Sequence, residues 1–180
     1  MAVRPILLFP DDGLKKACAE TPGVDGVVAQ LLTDLTDTLY ASPGVGLAAP
    51  QIGSLLRAVV VDVTRYPPRK GQPPVHGHGL LVLVNPKIVK REGELVFREG
   101  CLSIPEFLAD IRRSAAVRVE ALDRAGAPVA IDAEGFEAVA LQHEMDHLDG
   151  KLFVDYLSTL KRDRIRKKLE KQARLEARAS

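Results

Sequence analysis

The chain has 180 residues, 46% hydrophobic and 27% charged, with 4% aromatics, no Trp and a net charge of +1. That length suits one globular domain, residues 1–180, which buries about 70% of its unfolded surface in a core of mostly Val, Leu, Ile and Ala. No run approaches the ~20 apolar residues of a membrane span, the near-neutral charge selects no particular partner, and two cysteines without a signal peptide point to a reducing cytosol rather than a disulfide scaffold.

Ile6-Leu7-Leu8-Phe9 is too short for the core of a signal peptide and is cut by Pro10. Pro10-Asp11-Asp12-Gly13 opens a short predicted helix ending near Cys18. Nothing basic or metal-binding adjoins Cys18, so its thiol is expected to be a semi-buried filler. Thr21-Pro22-Gly23 breaks the chain. Val24 to Tyr40 predicts an amphipathic helix with Val24, Val27, Val28, Leu31, Leu32, Leu35 and Leu39 facing inward, ended by Ser42-Pro43-Gly44.

The stretch Gly44-Val45-Gly46-Leu47-Ala48-Ala49-Pro50-Gln51 follows. Taken alone, it is a tight turn with small residues that allow close packing. Its functional alternative is that Gly44 and Gly46 admit a substrate backbone as an added strand, beside Gln51 as a neutral amide donor. Arg57 to Val63, Leu80 to Val84, Lys87 to Lys90 and Gly93 to Phe97 are strand-like, and the last delivers Cys101. Thr64 to Gly79, rich in Pro, Gly, Arg and Lys, is read as a surface loop. The spacing of His76 and His78 there would serve only opportunistic metal binding. Ser114 to Leu122 and Pro128 to Ile131 flank the turn Asp123-Arg124-Ala125-Gly126 and predict a hairpin.

Gln142-His143-Glu144-Met145-Asp146-His147 lies in an apolar-periodic run from Gly135 to Leu148. Phe136, Val139, Ala140, His143 and His147 share one helix face; Asp132 is the expected N-cap and Gly150 the stop. Residues four apart stack on a helix, so both imidazoles can reach one metal ion while Glu144 reaches a water on it. The simpler alternative is a chance match. A catalytic site also needs a third protein ligand. A downstream His fails, because Phe153 stands six residues after His147. Glu170 has suitable spacing but sits among Lys167, Lys168 and Lys171. Cys101, upstream, is the remaining choice.

Three stretches in order, Gly44 to Gln51, Glu99-Gly100-Cys101-Leu102-Ser103 and Gln142 to His147, resemble the motifs of peptide deformylases, and the resemblance spans nearly the whole chain. It implies an α+β fold with several antiparallel sheets around the central His143 helix. It also implies one divalent metal ion on Cys101, His143 and His147, with Fe²⁺ favoured and Zn²⁺ as a replacement. The implied reaction removes the N-formyl group from the initiator methionine of nascent chains. Glu144 is then the general base and acid, and Gln51 and the Leu102 N–H are the oxyanion donors. Gly44, Val45, Gly46, Leu47, Gly100, Val139 and Ala140 are expected around the substrate, with Val45, Leu47, Val139 and Ala140 as walls of the methionine pocket. Glu99 and Arg113 are either an ion pair that holds the Cys101 loop in place or two unrelated surface charges. Where many family members carry an Arg, this chain aligns Leu108, which makes the downstream groove more apolar.

The tail from Ser158 to Ser180 holds nine basic and three acidic residues, a net +6 that leaves −5 for the rest. It is expected to be a helix packed at its start and projecting at its end. The simpler alternative is a solvated helix with no partner; against it, the charge fits a polyanion-binding arm, and the resemblance adds docking on the ribosome. Membrane association and sequence-specific DNA binding are not expected. Two other classes compete: a general zinc peptidase, which lacks a convincing third ligand, and a non-enzymatic RNA- or ribosome-binding protein, which gives Glu144 no purpose.

Overall fold

A computed structural model of the chain describes residues 2–66 and 75–179, so part of the predicted loop, 67–74, lies outside the described residues. Its organisation follows from one strand. β2 (Ala58–Val61) is apolar and buried at every position, so it has no solvent face. It is the second strand of a five-stranded antiparallel sheet, whose other members are β1 (Gly46–Ala48), β3 (Leu81–Glu92), β6 (Ala116–Leu122) and β7 (Pro128–Glu134). The order is β1-β2-β3-β6-β7. A separate two-stranded sheet pairs β4 (Leu95–Cys101) with β5 (Ile104–Arg113).

Strand side chains alternate between faces, so β2 serves two helices. Ala58 and Val60 pack with Leu47 and Val84 in a cluster with Val28, Leu32, Leu35 and Leu39 of α1 (Gly26–Tyr40). Val59 and Val61 join Leu83, Val117 and Val119 in a cluster with Ala138, Leu141, Met145 and Leu148 of α2 (Gly135–Leu148). α1 starts on Asp25, whose carboxylate accepts from the Val28 N–H at 2.9 Å. Val27, expected inward, is 70% exposed. A third cluster gathers Phe9, Leu14, Ile104, Ile111, Phe153 and Leu169, fastening α3 (Thr159–Ala179) to β5.

The α+β fold, the hairpin and the central helix agree with expectation. Asp132 is not the N-cap of α2: it lies within β7, and the chain turns into the helix at Gly135 (φ 57), whose N–H donates to the Ala115 carbonyl at 2.8 Å. The strands predicted at Leu80 to Val84 and Lys87 to Lys90 are one strand, β3, with a register shift between Val84 and Lys87. Cys18 is half-buried, and burial pushes its thiol up to about 11. No described helix is long and apolar enough to cross a membrane.

Candidate metal centre

His143 and His147 stand four residues apart on α2, with ring centroids 5.0 Å apart. β4 ends at Cys101, which places its Sγ 3.2 Å from His147 Nε2. The donor atoms of Cys101, His143 and His147 all lie within 4.8 Å of one another, and no other such group occurs among the described residues. One thiol and two imidazoles on that scale suit a divalent transition metal, and three protein ligands leave a position open for water or substrate.

The surroundings orient the donors. His143 Nδ1 meets Glu99 Oε2 at 2.8 Å. Glu99 is gripped by Arg113 through two parallel bonds, Nε–H to Oε1 at 2.7 Å and Nη2–H to Oε2 at 2.9 Å. Arg113 also donates to Asp146 and stacks over the Tyr156 ring at 4.8 Å, while the Tyr156 hydroxyl donates to Asp146 at 2.9 Å. This chain of contacts engages His143 Nδ1 and leaves Nε2 for the metal. Burial opposes charge on both imidazoles. At His143 the Cys101 sulfur and Glu99 outweigh burial and hold the ring well above its usual range, whereas His147 is pushed well below it.

Glu144 is 5% exposed, and its Oε2 finds no partner among the described residues. Burial raises its carboxyl to about 7. It stands against β1 only because residue 46 is Gly, since a Cβ there would fall 2.3 Å from Glu144 Oε1. An orphaned buried carboxylate oxygen beside the two imidazoles of this candidate group fits a site that takes a cation and a water. Gln51 is fixed at both ends: Oε1 accepts from the Ala48 N–H at 2.8 Å, and Nε2 donates to Ser103 Oγ at 3.1 Å and lies 3.6 Å from Cys101 Sγ. Its donor end therefore faces the cluster.

Gln51, Cys101, His143 and Glu144 lie along a cavity of about 470 Å³. Gly44, Val45, Gly46, Gly100, Leu102, Val139 and Ala140 line it. Leu47 does not: it is fully buried in the α1 cluster, because strand alternation turns it away from the cavity. Sequence reasoning missed an aromatic wall, in which Phe136 stacks on Phe97 at 4.9 Å and meets the edge of Tyr66 at 5.3 Å. Phe136 was legible on the predicted helix face; Tyr66 and Phe97 carry no local signal. Leu108, 59% exposed, lies over Gly100 at the rim, with Cδ2 2.7 Å from where a Gly100 Cβ would stand.

A second depression of about 540 Å³ is larger, and His76, His78 and Glu137 line it. There His78 Nδ1 meets Glu137 Oε2 at 2.7 Å, and its backbone N–H donates to Oε1 at 2.8 Å. His78 thus clasps its loop to α2, which supports the loop reading.

A family model described as polypeptide deformylase matches residues 3–163. A peptide deformylase of Xylella fastidiosa is 50% identical over 178 residues, covering 97% of this chain and 98% of that one. One from Alkalilimnicola ehrlichii is 49% identical, with 97% and 93% covered. The crystal structure of the Legionella pneumophila peptide deformylase superposes with a TM-score of 0.85 at 46% identity, covering 98% of this chain and 99% of that one. The Ehrlichia chaffeensis peptide deformylase in complex with actinonin gives 0.87 at 36% identity, with 96% and 98% covered.

Proposed function

This chain belongs to the polypeptide deformylase family, and on that premise we propose how its side chains carry the reaction. The reaction is hydrolysis of the N-formyl group on the amino-terminal methionine of a newly made protein, with release of formate. The observation that carries the assignment of roles is the convergence of Cys101, His143 and His147 beside the unpaired oxygen of Glu144, with Cys101, His143 and Glu144 lining a largely apolar cavity.

Cys101, His143 and His147 would hold one divalent cation. Such a cation would supply Lewis acidity for activating water and polarising a carbonyl. Fe²⁺ is the ion we favour, with Zn²⁺ a competent replacement. Glu144 takes the proton of the attacking water and delivers it to the departing amine nitrogen. As negative charge grows on the formyl oxygen, the Gln51 amide and the Leu102 N–H donate to it. The formyl carbon carries only hydrogen, and the close contact between Gly46 and Glu144 leaves little width for a larger acyl group. Gly44, Val45 and Gly46 receive the peptide backbone beside Gly100. Val45, Val139 and Ala140, with Phe97 and Phe136, enclose the methionine side chain, whose sulfur is favoured beside aromatic rings.

We assign α3 to docking. Ile165 and Leu169 fasten it to the domain, while Arg164, Lys167, Lys171 and Arg174 remain exposed. A basic arm of this kind suits ribosomal RNA at the exit of the nascent chain and raises the local concentration of substrate. That placement implies work in the cytoplasm.

The test is formate release by the metal-loaded full chain from a formyl-Met tripeptide, with the unformylated peptide as control. Formate from the first, and no internal bond cleaved in the second, is the expected result. Cleavage of internal bonds would instead mark a general peptidase.

A further inference from the structure

Arg65 has no part in the chemistry above, yet its guanidinium is among the most fully engaged groups near the cavity. It ends a short 3-10 turn, Val63–Arg65, that follows β2. Nη1 donates to the carbonyls of Leu39 at 2.8 Å and Gly44 at 3.1 Å; Nη2 donates to those of Ser42 at 3.1 Å and Tyr40 at 3.3 Å. The guanidinium also lies 4.5 Å over the Tyr40 ring, and the Tyr40 hydroxyl donates back to Asp62 at 2.7 Å.

The last carbonyls of a helix lack partners within it, and an Arg near the end of α1 answers that need. Helix capping does not account for the bond to Gly44, which lies beyond α1 on the cavity wall. The segment from Gly44 to Gly46 packs against the side chains of two residues of the proposed chemistry, Leu102 and Glu144. A Cβ on Gly44 would fall 2.7 Å from Leu102 Cδ1, and one on Gly46 2.3 Å from Glu144 Oε1. β1 is also the edge strand of its sheet. The Val45 carbonyl is engaged by the Asp62 N–H at 2.7 Å, so alternation along an antiparallel strand turns Gly46 outward. Gly44, two residues earlier, would offer its carbonyl in the same way, but Arg65 already occupies it. An incoming backbone then finds Gly46 and not Gly44, and so one register.

We propose that Arg65 is a positioning residue that fixes the Gly44–Gly46 edge for an extended peptide and thereby sets the preference for substrates reaching beyond the formylated methionine. This rests on the deformylase reading of the cavity. The fork of a guanidinium is suited to the task because it holds several carbonyls in one plane, which an ammonium cannot do.

The experiment compares kcat and KM for formyl-Met amide and a formyl-Met tripeptide in the metal-loaded wild type, Arg65→Met and Arg65→Lys. In Arg65→Met, kcat/KM for the tripeptide should fall about tenfold more than for the amide, chiefly through KM, and Arg65→Lys should recover part of that difference. A merely structural role lowers both substrates by one factor, and that result, or no loss on either, overturns the proposal. Should Arg65→Met not fold, Arg65→Lys decides: a tripeptide preference reduced about threefold or more supports the proposal, and a smaller change overturns it. A wild type that releases no formate from either substrate would overturn the deformylase reading instead.

Discussion

Arg113→Met removes the cation that Glu99 faces in the interior. The two residues are 6% and 4% exposed and share two bonds of 2.7 and 2.9 Å. Breaking one side of such a pair strands the other charge, at a cost of about 3–5 kcal/mol. The pair Arg118–Asp132 is just as short at 2.6 Å but exposed, so Arg118→Met should cost under about 1 kcal/mol. In a domain of this size each kcal/mol moves Tm by about 2–4 °C, which gives losses of roughly 6–20 °C and under about 4 °C. Burial raises the Glu99 carboxyl, but Arg113 and His143 outweigh it and hold the folded value below the usual one. The contribution of the pair is therefore complete above the ordinary carboxylate range and is lost as pH falls through the lowered folded value. Arg113→Met should flatten that acid dependence. Because Glu99 orients His143, metal affinity should also fall about 10–100-fold. Thermal unfolding of chelator-treated samples across pH, with chelator competition on loaded ones, reads both effects. Equal Tm losses in the two variants, or unaltered metal affinity in Arg113→Met, would refute the reasoning.

Gly46→Ala places a Cβ 2.3 Å from Glu144 Oε1 and 2.7 Å from its Cδ, so the carboxylate must move. Turnover should drop about 10²-fold with metal content intact, and wild-type turnover would show that Glu144 is not held there for catalysis. Anaerobic loading with Fe²⁺ should give a higher kcat/KM than Zn²⁺, and air should inactivate the Fe²⁺ form; equal activity without oxygen sensitivity counts against that preference. Truncation after Leu169 keeps Ile165 and Leu169 in their cluster, so activity on a short formyl peptide should persist while co-sedimentation with ribosomes weakens. Salt should weaken the full-length complex further, and equal co-sedimentation at low salt would leave α3 a solvated helix.

What could be read from the sequence were features encoded locally. α1 and the β6–β7 hairpin follow from periodicity and turn residues, and the candidate ligand pair His143 and His147 from spacing four on a helix. Cys101 came from elimination together with the resemblance, and the Glu99–Arg113 pair was one of two alternatives beside it. Features encoded by tertiary partners were hidden. β5 contains Pro105 and Glu106 at φ 67, which blur its alternation, and it is a strand because β4 pairs with it. Asn85-Pro86 looks like a strand break, yet Asn85 adopts φ 52 and its side-chain amide accepts from and donates to the Thr21 backbone at 3.0 and 2.8 Å, so β3 runs on. Leu47 was assigned to the cavity because its neighbours belong there, and a one-residue alternation sends it to the core. Ser103 and Arg65 act through distant carbonyls and amides that no local pattern announces.

Glu144→Gln tests the central claim most directly. The substitution keeps the shape of the side chain and removes the proton acceptor whose oxygen has no other partner among the described residues. Bound metal and the rate of formate release from a formyl-Met tripeptide are measured on the same sample, beside wild type. One metal per chain with a rate lower by about 10²-fold or more is the expected result. Near wild-type turnover in the metal-loaded variant would contradict the assignment of Glu144 as the base of this reaction.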